Sequence, residues 1–178
     1  PHQEAPTNVC WGMSNRSVLV RVPLGWTSGE DMCHKANEKE PLTERDYSGK
    51  QTVEMRSPDA SADIYQLLAG LCVACRHGFE MANAEAEAER TFADGDIHDP
   101  KNAERYATLA QLPDSCAASA DCLERQRKVY EEYDVFSPAM IDGIIKQLRA
   151  FNDRTLRQEI EGKEMLMEKL VRQYYHCG

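Results

Sequence analysis

The chain has 178 residues, of which 42% are hydrophobic and 29% charged, values typical of one soluble globular domain with a sizeable core. Its formal net charge of −9 argues against a nucleic-acid groove and against a basic membrane patch, because both require clustered lysine and arginine. The longest apolar run, residues 67–75, is too short to span a membrane.

The cysteines and the first residue bear on where the protein works. Seven cysteines at irregular spacing do not form a disulfide framework, and free thiols indicate a reducing cytoplasm. The sequence begins at Pro1, so we expect a processed or cut N-terminus. Cys72 and Cys75 have the spacing of metal and redox motifs, but their apolar helical setting favours two buried core cysteines. A metal site at His176 and Cys177 is equally disfavoured.

The first part of the chain has the composition of short strands. We predict strands over residues 7–11, 17–23 and 51–57, each β-prone and bounded by turn residues. The polar stretch between the last two, residues 24–50, is predicted to be a long surface loop. Three strands alone would leave exposed sheet edges, so we expect part of the sheet to lie outside this sequence.

Helical periodicity dominates after Pro58. The predicted helices cover residues 64–75 continuing through 81–90, 103–110, 115–133, 137–151 and 155–175, the last broken at Gly162. Ser137 and Pro138 are a typical helix start. The predicted buried side of that helix consists of Ile141, Ile144, Ile145, Leu148 and Phe151. The predicted fold is therefore α+β, with a few antiparallel strands from an incomplete sheet (residues 1–59) followed by a helical layer (residues 60–178).

Three short blocks carry the candidate chemistry. They are His2-Gln3-Glu4-Ala5-Pro6, then Asn15-Arg16-Ser17 with Arg21-Val22-Pro23, and finally Val53-Glu54-Met55-Arg56-Ser57-Pro58-Asp59. Glu54 and Arg56 are two residues apart on a predicted strand and therefore share a face. A carboxylate beside a guanidinium can place a divalent cation next to an anionic substrate. Arg16 and Arg21 would add the fixed positive charge that phosphoryl transfer needs.

Any one of these blocks alone is most simply a solvated strand edge. As a set, their order and spacing resemble glutamine synthetase over about residues 1–80, where E-A-P, N-R-S, R-V-P and E-x-R-x-P-D precede a helix. The later helices and the insertion between Pro23 and Lys50 resemble the longer-chain class of that family. The resemblance implies that residues 1–178 are the C-terminal part of a catalytic domain.

The resemblance also implies roles for individual residues. Glu4 corresponds to a flap glutamate that binds ammonium and acts as general base. Arg16, also a catalytic residue, and Arg21 correspond to arginines that contact the ATP phosphates and the γ-glutamyl phosphate. Glu54 corresponds to a ligand of Mg²⁺ or Mn²⁺, and Arg56 to the arginine that holds the carboxylate of the substrate glutamate.

One position departs from the family pattern. The family often has a further nucleotide-contacting arginine two residues before the metal glutamate, where this chain has Thr52. Lys50 lies on the same predicted strand face and is the candidate replacement. Without it, that nucleotide contact is lost.

The function implied by the resemblance is an ATP-dependent glutamate–ammonia ligase. Its substrates would be L-glutamate, ammonia and ATP, and the parent protein would be a cytoplasmic ring of identical subunits. The other metal ligands of the family lie before the E-A-P block, so we expect this chain to be inactive alone. Two alternatives stay open: a stand-alone helical module that binds a protein partner through the helices from Ser115 onwards, and a related ligase that uses an amine instead of ammonia.

Overall fold

The structure is a computed structural model, and it describes residues 6–23, 31–42, 52–58, 62–151 and 153–175. Glu4 and Lys50 lie outside the described residues, so the roles predicted for them stay predictions. Three strands are present, β1 (Trp11–Met13), β2 (Val20–Val22) and β3 (Glu54–Met55). The α-helices are α1 (Met32–Ala36), α2 (Ile64–Glu80), α3 (Ala84–Thr91), α4 (Cys116–Glu131), α5 (Pro138–Ala150), α6 (Leu156–Ile160) and α7 (Glu164–Tyr174). The predicted α+β class is confirmed.

The chain forms two compact units. A strand unit contains Pro1–Ser57 and Glu85–Gln111, and a helical unit contains Pro58–Ala84 and Leu112–Gly178. The assignment of residues 1–178 to one catalytic domain stays a prediction. Within the part of the chain that the structure describes, no helix has the length and apolar character needed to cross a membrane.

The sheet is mixed, with strand order β1-β2-β3. β2 and β3 are antiparallel, as predicted, but β1 and β2 are parallel, so the prediction of antiparallel strands is wrong for that pair. The connection after β1 leads the chain back to the start of that strand, so β2 runs in the same direction as β1. Ser14 begins this reversal with a φ of 53° and donates its N–H to the carbonyl of Val22 at 2.8 Å. Val20 then donates to the carbonyl of Cys10 at 3.1 Å.

The core of the strand unit forms where residues 92–95 run alongside β1. The buried residues are Cys10, Val18, Ala93, Tyr106 and Leu109. Ala93 donates its N–H to the Trp11 carbonyl at 2.8 Å, and the Trp11 ring nitrogen donates to the Ala88 carbonyl at 2.7 Å. The rings of Trp11 and Phe92 lie 4.9 Å apart. These contacts bind the end of α3 to the first strand.

The helix predicted over residues 103–110 is absent. Residues 103–108 form successive turns after a 3₁₀ turn at Pro100–Asn102. The Tyr106 hydroxyl explains the difference, because it donates to Asp94 at 3.0 Å and accepts the Gly95 N–H at 3.0 Å. A buried tyrosine with two partners outweighs the weak preference of one short helix.

Gly12 lies so close to residue 93 that a side chain there would collide with backbone. A Cβ at position 12 would sit 2.3 Å from the Ala93 carbonyl oxygen, whereas one at Gly143 in α5 would meet nothing within 4 Å. We expect Gly12→Ala to lower the free energy of unfolding by about 1–3 kcal/mol through forced backbone movement. Gly143→Ala, the matched control, should raise it by about 0.5–1 kcal/mol because alanine favours the helix. Urea unfolding measures both, and equal effects would contradict this account.

The core of the helical unit lies where α2, α4 and α5 meet. Its buried residues are Val73, Ala120, Phe136, Ile141 and Ile145. The predicted start of α5 is confirmed, since the Ser137 hydroxyl accepts the Met140 N–H at 3.3 Å and proline occupies the first turn. The predicted break at Gly162 is also confirmed, because this glycine has a φ of +71° between α6 and α7.

Two details of the helical prediction are wrong. The helix from residue 64 does not continue through residue 90, because Met81 adopts an extended conformation and ends α2, and α3 begins separately at Ala84. Phe151 is 39% exposed and not part of the buried face. It follows the last turn of α5 in an extended backbone conformation, which turns it away from Ile141 and Ile145.

Asp153 caps α4 from a distant part of the chain. The Cys116 N–H donates to its two carboxylate oxygens at 2.8 and 3.0 Å. Desolvation acts to raise the pKa of Asp153, but hydrogen bonds from the backbone N–H groups of Cys116 and Ala117 and from the Cys116 thiol outweigh it and lower the pKa. A lowered pKa gives stability that is present above the unfolded pKa of about 3.9 and is lost as pH falls through the folded value.

We therefore expect the melting temperature of the wild-type chain to fall below about pH 4 more steeply than that of Asp153→Asn. At pH 7 the variant should be the less stable protein, because a neutral amide at a helix N-terminus is a weaker acceptor than a carboxylate. Thermal unfolding followed by circular dichroism between pH 3 and pH 7 gives both curves. Two parallel curves would rule out this role for Asp153.

Candidate functional site

The structure brings together three of the five predicted site residues. Arg21 in β2 lies directly opposite Glu54 in β3, and Arg56 follows two residues later. The Arg21 Nε and Nη2 atoms donate to one carboxylate oxygen of Glu54 at 3.0 and 2.5 Å. The Arg56 Nε lies 3.6 Å from the other oxygen. One carboxylate is therefore held between two guanidinium groups, and we call these three residues the Arg–Glu–Arg cluster.

Arg56 is the best enclosed member of this cluster, with a side chain that is 15% exposed. Its backbone N–H donates to the Leu19 carbonyl at 3.0 Å, and its Nη1 donates to the Val18 carbonyl at 3.4 Å. Val18 itself is fully buried. The guanidinium is thus positioned by the core of the strand unit.

The segment around Arg16 is fixed by its two neighbours. The Asn15 amide donates to the carbonyls of Ala93 and Gly95 at 3.1 and 2.8 Å. Its oxygen accepts the N–H and the hydroxyl of Ser17 at 2.9 and 2.7 Å. Ser17 is buried, and its hydroxyl oxygen accepts the Ile97 N–H at 3.1 Å. Arg16 is therefore presented at the surface on a backbone that is held from both sides.

Asn15 and Ser17 were given no role from the sequence, although they stand in the N-R-S block. Their hydrogen bonds hold the loop on which Arg16 lies. Their partners lie about 80 residues further along the chain. No local sequence pattern identifies partners at that distance. The only sequence signal for Asn15 and Ser17 was their position on either side of Arg16 in the N-R-S block.

The cluster offers part of a metal site. A carboxylate oxygen is a ligand that Mg²⁺ and Mn²⁺ accept, and Glu54 keeps a side chain that is 41% exposed. Among the described residues, however, no group of three or more histidine, cysteine, aspartate or glutamate side chains could hold a metal ion. Glu54 would therefore be one ligand of such a site, and its other ligands would have to come from outside the described residues. A cation reaching it must also compete with Arg21.

The structure also gives the solvent exposure of the other residues that the sequence analysis considered. Cys72 and Cys75, predicted to be buried, are both exposed, because they lie about 100° and 160° around α2 from the buried Val73. His77 is exposed, as predicted for a histidine on a helix surface. Thr52 is exposed just before β3, at the position where the family pattern often has arginine. Glu4 lies outside the described residues.

Comparison with known proteins gives consistent matches. Residues 1–167 match the family described as glutamine synthetase, catalytic domain. The chain is 30% identical over 150 residues to a glutamine synthetase of Streptomyces coelicolor, covering 84% of this chain and 27% of that protein. It is 25% identical over 162 residues to one of Thermococcus kodakarensis (90% and 29%), and 31% identical over 129 residues to one of Mycobacterium bovis (72% and 24%). The chain thus spans about a quarter of the length of these curated relatives.

Proposed function

The chain belongs to the glutamine synthetase catalytic-domain family, and from that premise we propose that it is the C-terminal part of an ATP-dependent ligase that joins ammonia to L-glutamate. The observation that carries the proposal is the Arg–Glu–Arg cluster. It combines a carboxylate suited to a divalent cation with two guanidinium groups suited to anions. That combination serves a reaction in which phosphate and carboxylate groups must be held together.

The proposed reaction has two steps. A side-chain carboxylate oxygen of glutamate attacks the γ-phosphorus of ATP, which gives an acyl phosphate and releases ADP. Ammonia then attacks the acyl carbon, phosphate leaves, and one proton is lost to a base. We assign Arg56 to the substrate carboxylate, Arg16 and Arg21 to the phosphate groups, and Glu4 to the proton.

Glu54 would hold Mg²⁺ or Mn²⁺ together with ligands from elsewhere in the assembled protein, and the ion would neutralise charge on the transferring phosphoryl group. The chain's own residues position the reactants. Arg56 is held by the backbone carbonyl of Val18, which limits the directions in which it can present its remaining N–H groups. Such fixed donors do not reorganise during the reaction, which is the main source of their catalytic value.

The cellular setting is part of the same proposal. The six described cysteines are all free, which supports a reducing compartment such as the cytoplasm. The parent protein is proposed to be a ring of identical subunits with L-glutamate, ammonia and ATP as substrates. With one acidic ligand and about a quarter of the length of its relatives, the isolated chain should not catalyse the reaction.

The ion pair in the cluster predicts a specific binding result. Glu54 competes with anions for Arg21, so we expect Glu54→Gln to tighten metal-free binding of ATP to the isolated chain by about 3- to 10-fold, in line with the modest strength of a partly exposed ion pair. Titration calorimetry with EDTA present measures this. Glu87→Gln is the matched control, because Glu87 also pairs with an arginine, Arg90, but in α3. Weaker binding by Glu54→Gln would contradict the assignment of Arg21.

The proposed function is tested with a hybrid enzyme. In it, the residues of the Streptomyces coelicolor glutamine synthetase that precede its matching stretch are followed by this chain. Hydroxylamine traps acyl phosphates as hydroxamates, so the hybrid should form γ-glutamyl hydroxamate only when ATP and glutamate are both present. Supplying small amines in place of hydroxylamine shows whether the acceptor is ammonia or an amine. A folded hybrid that forms no hydroxamate would overturn the proposal.

A further inference from the structure

Helix α2 presents a continuous apolar face to solvent. Ile64, Tyr65, Leu68 and Phe79 are 64%, 86%, 55% and 91% exposed. Cys72 and Cys75 are exposed as well. At about 100° per residue, these six side chains fall within an arc of about 100°, and no charged residue lies between them. We call them the α2 apolar face.

The other side of the same helix is the one that packs within the chain. Val73 is 1% exposed and belongs to the core with Ile141 and Ile145, and Ala69 packs against that core. Val73 lies about 180° around the helix from Ile64, so the buried side and the α2 apolar face are distinct. The helix therefore has two apolar sides, of which the described residues of the chain cover one. A contiguous exposed apolar patch of this kind marks an interaction surface.

We propose that the α2 apolar face is the packing surface for the preceding part of the catalytic domain, a segment that this sequence does not contain. The inference rests on the proposed function. Two observations favour this occupant. The matching stretch is the C-terminal part of the relatives and only 27% of the Streptomyces coelicolor protein, so most of their chain precedes it. The described sheet has three strands of only three, three and two residues, shorter than the usual length of about five, as expected for part of a larger sheet.

The chemistry of the face restricts what can cover it. It carries no lysine, arginine, aspartate or glutamate, so a charged surface would find no oppositely charged side chain there to pair with. Phenylalanine, leucine and isoleucine pack against another apolar surface, such as one side of a sheet. The position of α2, directly after the β3 segment that carries Glu54 and Arg56, places this surface next in the chain to the proposed site residues.

Cys72 and Cys75 report directly on whether the face is covered. The isolated chain and the hybrid enzyme are treated with N-ethylmaleimide, and the labelling rate of each cysteine is mapped by mass spectrometry against the same protein in urea. In the isolated chain both thiols should react nearly as fast as in urea, whereas the buried Cys10 should not. In the hybrid, labelling of Cys72 and Cys75 should be at least about tenfold slower. Unchanged fast labelling in a folded hybrid would overturn the proposal.

A substitution provides the second measurement. Leu68→Gln should leave the melting temperature of the isolated chain unchanged and lower that of the hybrid. Leu42→Gln, the same change at a leucine that is 68% exposed outside α2, should affect neither. If the hybrid does not fold, the isolated chain still decides. A lowered melting temperature for its Leu68→Gln variant would overturn the proposal. Protection of Cys72 and Cys75 that increases with chain concentration would also overturn it, because it would show that a second copy of the chain covers the face.

The two proposals can fail separately. Slow labelling of Cys72 and Cys75 in a hybrid that forms no hydroxamate would support the packing surface and count against the ligase. Hydroxamate formation by a hybrid whose thiols still react fast would do the reverse.

Discussion

Replacing Arg56 with glutamine in the hybrid enzyme is expected to lower kcat/KM for glutamate by about 10²- to 10³-fold. The guanidinium is 15% exposed and fixed by the Val18 carbonyl, so its hydrogen bonds to a substrate carboxylate would form in a largely enclosed position. Losing a charged partner of that kind costs about 2–5 kcal/mol, and each 1.36 kcal/mol is a factor of ten in rate. Initial rates at varied glutamate concentration measure the effect, with the change falling mainly on KM.

A control separates this role from a structural one. Arg105→Gln removes an exposed arginine of the same unit that pairs with Asp94, and it should leave kcat/KM within about twofold. The melting temperature of Arg56→Gln should stay close to that of the parent hybrid. Full activity of Arg56→Gln would remove Arg56 from the site, and a large fall in melting temperature with an equal fall in kcat at saturating glutamate would make it structural.

The largest effect on stability is expected at Ile141. This side chain is 1% exposed within the core of the helical unit, and Ile141→Ala should lower the free energy of unfolding of the isolated chain by about 2–5 kcal/mol through lost burial and a residual cavity. Ile64→Ala makes the same change in another helix at a side chain that is 64% exposed, and it should cost less than about 0.5 kcal/mol.

Urea unfolding of the two isoleucine variants, beside the wild-type chain, gives the comparison. A loss at Ile64 much smaller than that at Ile141 would show that the isolated chain leaves the side chain of Ile64 in α2 unpacked. Equal losses would show that the α2 apolar face is already covered within this chain, contrary to the packing surface proposed above.

Local signals predicted the helical unit well. Ser137 and Pro138 indicated the start of α5, and the spacing of Ile141 and Ile145 indicated its buried side. Phe151 continues the same periodicity, but the periodicity does not indicate that the helix ends at Ala150, before Phe151. For α2, the sequence indicated an apolar helix without showing which of its two apolar sides the chain would cover.

Long-range pairing limited the prediction of the strand unit. The positions of Glu54 and Arg56 along one strand predicted that they share a face. That Arg21 would reach the same carboxylate depends on the register between β2 and β3, which local sequence does not fix. The connection between β1 and β2 is likewise held by long-range contacts, the hydrogen bonds of Asn15 to residues 93 and 95.

The decisive measurement of the proposed ligase activity is glutamine formation from L-glutamate, ammonia and ATP in the presence of Mg²⁺. It is made side by side for the isolated chain and the hybrid enzyme. We expect ATP-dependent glutamine formation by the hybrid and none by the isolated chain. A folded hybrid that forms no glutamine, under conditions where the intact Streptomyces coelicolor protein does, would contradict it. Formation of glutamine by the isolated chain at the hybrid's rate would also contradict it.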